Sequence, residues 1–251
     1  MANAIEKLTR GRTLVLVAHP DDEAITCGIL LQRMKHPLVV FATDGSPKDK
    51  YFWQRYGSRE RYAEVRSQEA AAAMAAVGVS GYDFAQLADD QELYRNLPGA
   101  AVRLRNIVEQ FRPDAILTSA YEGGHPDHDS CAFLASGAGR ETHVPVFEAP
   151  LYNRFEGIGH KQQFIIGDPG ERLQATEEER MRKAQMFACY ESQGDLLGFF
   201  DIDREVFRPQ HAYDFIRPPH PGKLNYEMWR WPMTGTDVCR SFQRFVRKVA
   251  A

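Results

Sequence analysis

Three short apolar runs constrain the fold more than any other feature. TLVLVA (13–18), PLVVFAT (37–43) and AILTSA (115–120) are brief, rich in β-branched residues and closed by polar or turn-forming residues, as buried strands are. Stretches with helical apolar spacing separate them, at 22–34, 58–77 and 99–111. Gly78 stops the second and Pro113 breaks the third. YDFAQL (82–87), VPVFEAP (144–150) and QFIIG (163–167) read as further strands, with helices from 129 and from the acidic start Thr176-Glu-Glu-Glu to Tyr190. Strands alternating with helices predict an α/β domain of three layers around a mainly parallel sheet. All 251 residues are expected to form one domain, with a core at about 10–195 and a C-terminal extension at about 196–251. The stretch 211–232 is rich in proline and aromatics, lacks periodicity, and reads as an ordered loop region packed on the domain.

Composition narrows the function classes. Lysine and arginine total 31 against 34 acids, so a formal charge of −3 gives no electrostatic reason to expect nucleic acid. Cys27, Cys131, Cys189 and Cys239 form no CxxC pair and read as small buried hydrophobes in a reducing compartment. The opening MANAIEKLTRGR lacks the apolar core of a signal peptide, and no apolar run approaches a bilayer's thickness. A cytoplasmic protein without a membrane span is expected; homo-oligomerisation stays open.

Two polar clusters sit at the ends of predicted strands, where open α/β sheets bind ligands. HPDDE (19–23) follows the first strand and HPDHD (125–129) follows the fourth. Imidazoles mixed with carboxylates suit zinc, which at catalytic sites takes three protein ligands and leaves one position for water. Each cluster alone also reads as a turn in which Asp caps the following helix. Both together, at parallel-strand ends of one domain, point to a metal site.

This combination resembles the PIG-L/LmbE family of metal-dependent de-N-acetylases, which implies a Rossmann-like, LmbE-like fold. The resemblance runs from about Thr13 to Gln193. It includes Thr43-Asp44-Gly45, Arg66-x-x-Glu69 followed by Val77-Gly78-Val79, Asp90-x-x-Leu93 and Tyr190-x-Ser192-Gln193. It implies His19, Asp22 and His128 as ligands of Zn2+, with iron(II) also compatible. Asp21 would be the general base. His125 would be the general acid or would stabilise the oxyanion, oriented and charged by Asp127. Arg66 and Asp90 match substrate-contacting positions, although Arg66 also reads as an exposed helix residue paired with Glu64 or Glu69. The family often has a histidine where this chain has Tyr190. Tyr121 and Glu122 precede the second cluster and read either as site residues or as the close of the strand. The aromatic region, with Tyr213, Arg217, His220, Tyr226 and Trp229, reads either as pocket wall or as core.

The implied activity is removal of acetyl from an N-acetylglucosamine moiety of a small-molecule amino-sugar substrate. An amidase for a larger acyl group, a metal-dependent phosphoesterase and a sugar-binding protein with a vestigial site are the alternatives. The phosphoesterase would need a second metal. The binding protein would need neither Asp21 nor His125.

Overall fold

The computed structural model describes residues 3–249. In chain order the elements are α1 (Ala4–Arg10), β1 (Arg12–Val17), α2 (Asp22–Arg33), β2 (His36–Phe41), α3 (Lys50–Trp53), α4 (Arg59–Ala76), β3 (Tyr82–Phe84), α5 (Leu97–Phe111), β4 (Ala115–Ser119) and α6 (Pro126–Thr142). They continue with β5 (Val146–Ala149), β6 (Tyr152–Asn153), β7 (His160–Lys161), β8 (Glu171–Gln174), α7 (Glu177–Cys189), α8 (Gly194–Leu197), β9 (Arg204–Pro209), α9 (Asn225–Met228) and α10 (Gly235–Val249).

The main sheet has the order β3-β2-β1-β4-β5-β9-β8. The first five strands run parallel, and β9 pairs antiparallel with β5 and with β8. Successive side chains of a strand face opposite ways. Val15 and Val17 therefore join the core under α1, α2, α4 and α7, whereas Leu14 and Leu16 join the core under α5, α6 and α10. The chain winds outward from β1 to β3 and then returns to place β4 on the other side of β1. That reversal opens a crevice between the ends of β1 and β4, and both His/Asp clusters emerge there.

Helix α2 carries a built-in break. Cys27 leaves the helical region (φ −145°, ψ 20°), which frees backbone groups on either side. The carboxylate of Glu205 accepts from the amides of Ile29 (2.7 Å) and Leu30 (2.9 Å), and the Lys183 ammonium donates to the Ile25 carbonyl (3.1 Å). Lys183 and Glu205 are fully buried and paired at 2.7 Å, so the ion pair fills the break with its own hydrogen bonds.

The expected strand at 163–167 does not form. The Arg208 guanidinium lies over the Phe164 ring, 3.7 Å from its centroid, and donates to the carbonyls of Ile166 and Asp168. Those carbonyls are held by a side chain rather than a ladder. The sheet is completed by β9 and β8, whose polar alternation, as in ERLQ, hides them among surface sequence. Within 196–251, β9 is a sheet strand, and Phe242 of α10 stacks on Phe133 of α6 at 4.4 Å. Among the described residues no helix is long and apolar enough to cross a membrane.

Candidate metal centre and active site

The turn after β1 folds back on itself. The Asp22 carboxylate accepts from the amides of Ala18 (3.1 Å) and His19 (2.8 Å), which ties the first turn of α2 to the strand end. The same carboxylate faces two rings: His19 Nδ1 is 3.4 Å away, His128 Nε2 is 3.2 Å away, and those two nitrogens are 3.2 Å apart. Donors about 2.0–2.1 Å from a tetrahedrally coordinated ion sit roughly 3.3 Å from one another. His19 faces Oδ2 of Asp22 and His128 faces Oδ1, so the two rings flank one carboxylate at about that spacing, and the three side chains supply the donor types of a three-ligand metal site.

The surroundings fit a cation as well. His19 Nε2 lies 3.3 Å from the Asp127 carboxylate, so the hydrogen belongs on Nε2 and the Nδ1 lone pair faces the triangle. A lone pair aimed at a carboxylate is repulsive unless positive charge lies between them. Burial opposes a charged His19, yet Asp90, Asp127 and Asp22 together hold its pKa well above the ordinary value. Burial likewise opposes ionised Asp22, and the His128 and His19 rings still hold it well below the usual carboxylate range. His19, His125 and His128 also form one group of ring nitrogens within 4.8 Å. A second such group, His19, Asp90, His125 and Asp127, shares two of its members. There Asp127 already accepts from the amides of Gln91 (2.6 Å) and Leu93 (3.0 Å), so it acts from behind His19.

Asp21 is adjacent to Asp22 and turned elsewhere. Its φ of 123° is rare for a residue with a side chain. Three contacts hold it. Its amide donates to Glu23 (3.1 Å), Glu23 accepts from the Tyr190 hydroxyl, and its carboxylate pairs with Arg66 at 3.2 Å. Arg66 also donates to the Pro20 carbonyl and is buried, so it is not the exposed partner of Glu64 or Glu69. Burial pushes the Asp21 carboxyl up to about 6 against the pull of Arg66. Burial also pushes Glu23 up to about 8. Glu69 instead accepts from the amide (2.7 Å) and hydroxyl (2.6 Å) of Ser192, and Gln193 donates to the Tyr62 hydroxyl at 2.7 Å.

The turn after β4 departs from expectation at Asp127. Its carboxylate is 3.8 Å from His125 Nδ1 and closer to His19. His125 is instead the N-cap of α6, its Nδ1 accepting the Asp127 amide at 3.1 Å. That leaves the hydrogen on Nε2, which points toward Asp90 Oδ1 at 3.6 Å. Burial, then the neighbouring His19 and His128, hold His125 well below its ordinary pKa, so it is neutral rather than charged by Asp127. Asp90 Oδ1 is buried and has no hydrogen-bond partner, leaving an acceptor aimed between His19 and His125.

The profile of the PIG-L family, described as GlcNAc-PI de-N-acetylase, matches residues 14–138, a span that contains both clusters. The chain belongs to the PIG-L family. A 2'-N-acetylparomamine deacetylase of Streptomyces fradiae is 32% identical over 148 residues, 49% of this chain and 50% of that protein. A 1D-myo-inositol 2-acetamido-2-deoxy-alpha-D-glucopyranoside deacetylase of Catenulispora acidiphila is 31% identical over 166 residues, 55% of this chain and 51% of that protein. The chain thus spans about half the length of the curated relatives it matches. Among solved structures, a triple mutant of a deacetylase from teicoplanin biosynthesis superposes with TM-score 0.61 at 25% identity, covering 74% of this chain and 84% of that one. The N,N'-diacetylchitobiose deacetylase of Pyrococcus horikoshii shares the fold, with TM-score 0.58 at 18% identity over 82% of this chain and 88% of that one.

In this PIG-L chain several residues near the second cluster are structural. The Tyr121 hydroxyl donates to the Arg217 carbonyl (2.7 Å), and Glu122 accepts from the Leu151 amide (2.6 Å) and Asn153 (3.2 Å). Tyr213 donates to Glu148 (2.9 Å), Tyr226 lies in the core, and His220 packs against Phe155. Two aromatics that sequence reading did not single out do reach the histidines. Trp231 meets His125 edge to face, with ring centroids 4.9 Å apart, and Tyr152 meets His128 likewise at 5.4 Å. No local pattern marks either one, because each arrives from an element far along the chain.

Proposed function

We propose that this chain is a metal-dependent hydrolase that removes the N-acetyl group from an N-acetylglucosamine-containing small molecule, releasing acetate and a free amine. The reading rests on one observation: the buried triangle of His19, Asp22 and His128 with Asp21 held beside it. These three residues would hold the cation, and their donor types suit zinc or iron(II). A cation there supplies Lewis-acid activation of the amide carbonyl and of water.

The remaining steps belong to the chain's own groups. Asp21 takes the proton from the attacking water. A carboxyl lifted to about 6 is ionised at neutral pH yet basic enough to accept it, and it can return that proton to the leaving nitrogen. The His125 Nε2–H donates to negative charge developing at the amide, the role its neutral state allows. Arg66 fixes the Asp21 carboxylate, and the unpartnered Asp90 oxygen accepts from a sugar hydroxyl. The curated relatives, named as deacetylases of amino-sugar compounds, support the substrate class. All four cysteines are free, in keeping with a cytoplasmic setting.

The test is acetate release from a panel of N-acetylglucosamine compounds by enzyme stripped of metal and then reloaded with zinc. Zinc-restored release is expected. No release from any member by zinc-loaded protein overturns the reading.

A further inference from the structure

The second cluster is a docking point for aromatic side chains. Gly123 has φ 71°, and a Cβ there would lie 2.7 Å from Leu224; a Cβ on Gly124 would lie 2.1 Å from the Tyr152 carbonyl oxygen. Both glycines are small because another segment presses on each. Leu224 opens the segment carrying α9 and the two tryptophans. The Asn225 amide donates to the Gly123 carbonyl (3.0 Å), and the Tyr226 hydroxyl donates to Asp129 (3.3 Å). Asp129 in turn accepts from the Gly123 amide at 3.0 Å. The aromatic segment is thus bonded to the turn that carries His125.

Beyond this anchor, Arg230 takes a left-handed conformation (φ 58°) between Trp229 and Trp231 and turns the chain so that their rings meet, centroids 5.0 Å apart. Trp231 lies on His125. Trp229 lies 6.1 Å from Tyr152, which lies on His128 and 6.3 Å from Phe200. Trp229 remains 48% exposed. A continuous aromatic surface therefore runs from the two histidines outward to solvent. Apolar surface left open beside a polar catalytic centre serves as the ligand-contacting wall of such sites.

We infer that Trp231 backs the amino sugar, that Tyr152 and Trp229 form the subsite for its aglycone, and that this aglycone presents a flat apolar ring. The inference rests on the deacetylase reading and adds a specificity to it. The direction follows from position: Trp231 borders the group that faces the reacting amide, so the sugar lies against it, and Trp229 lies one ring farther out. A cyclitol would offer Trp229 C–H groups set among hydroxyls and an acyclic acid little flat surface, whereas an aryl ring offers a whole apolar face and gains most from stacking.

The experiment compares N-acetylglucosaminides bearing methyl, 4-nitrophenyl and inositol aglycones with the zinc-loaded enzyme. The aryl glycoside is expected to have kcat/KM about tenfold above the methyl and inositol glycosides, with the gain mainly in KM, and Trp229→Ala is expected to erase most of that ratio. Trp229 is half exposed, so its replacement spares the core. Binding is read separately in an Asp21→Asn, Trp53→Phe protein. There Trp229 and Trp231 are the remaining tryptophans, and aryl glycoside should change their emission at lower concentration than methyl glycoside. Inositol or methyl preferred over aryl, or an aryl preference untouched by Trp229→Ala, overturns the inference while deacetylation stands. Aryl-selective binding without acetate release from any glycoside keeps the subsite and overturns the deacetylase reading instead.

Discussion

The two His-Pro-Asp turns look alike in sequence and do different work. In both, the third residue after the histidine supplies a donor to the triangle, Asp22 in one and His128 in the other. In both, the fourth is a buried acid that accepts a backbone amide and a tyrosine hydroxyl: Glu23 with Tyr190, and Asp129 with Tyr226. The histidines and the second residues after them diverge. His19 turns into the triangle, whereas His125 caps a helix from extended backbone at φ −144°. Asp21 is held at φ 123° against Arg66, whereas Asp127 sits inside α6 and reaches across to His19. Similar residues thus take different positions and partners, according to backbone conformation and the neighbour each one meets, and the proposed roles of base, ligand and hydrogen-bond donor follow from that difference.

Exchanging the paired positions tests that division. Asp21→Asn should have the largest effect, a loss of about 10²–10⁴ in kcat with metal still bound, since it removes the proposed general base. If turnover survives, Asp21 is not the base. In the unaltered enzyme kcat/KM should rise with pH through about 6, because Asp21 is inactive while protonated and active once ionised. A profile without that acidic limb breaks the assignment.

His125→Ala should lower kcat by about 10²-fold or more while leaving one metal per chain, whereas His19→Ala should lose the metal. Metal analysis beside rate measurement separates the two, and equal metal loss in both would make the two histidines equivalent. Asp127→Asn should weaken metal affinity about 10–100-fold through His19. A competition titration with a chelator reads this; a change in turnover alone, at unaltered affinity, would return Asp127 to the service of His125. The smallest effect belongs to Tyr190→Phe, which leaves buried Glu23 without one partner and should cost about 1–3 kcal/mol in urea unfolding. No loss of stability would show that the strained Asp21 needs no such support.

Sequence alone determined the parallel core, because buried strands between helices leave few other layouts. It also determined the donor types at the ends of β1 and β4, because two His/Asp clusters at parallel-strand ends of one domain fall where such sheets bind ligands. The motif remnants were legible too: Arg66 does approach the site, and Asp90 does face the histidines. Among the missed elements α1, β8 and β9 are short, and β8 and β9 join the sheet only because β5 offers an edge, whereas the 15-residue α10 carries apolar residues at helical spacing (Val238, Phe242, Phe245) and was legible in the sequence. Only the tertiary structure decided whom Asp127 serves, why Tyr190 stands at its position, and which tryptophan meets His125. These choices depend on contacts between residues 106 or more positions apart, such as His19 with Asp127, Glu23 with Tyr190 and His125 with Trp231. A residue's type limits the bonds it can make, but the direction of its side chain is set by local φ and ψ and by what the rest of the fold places in reach.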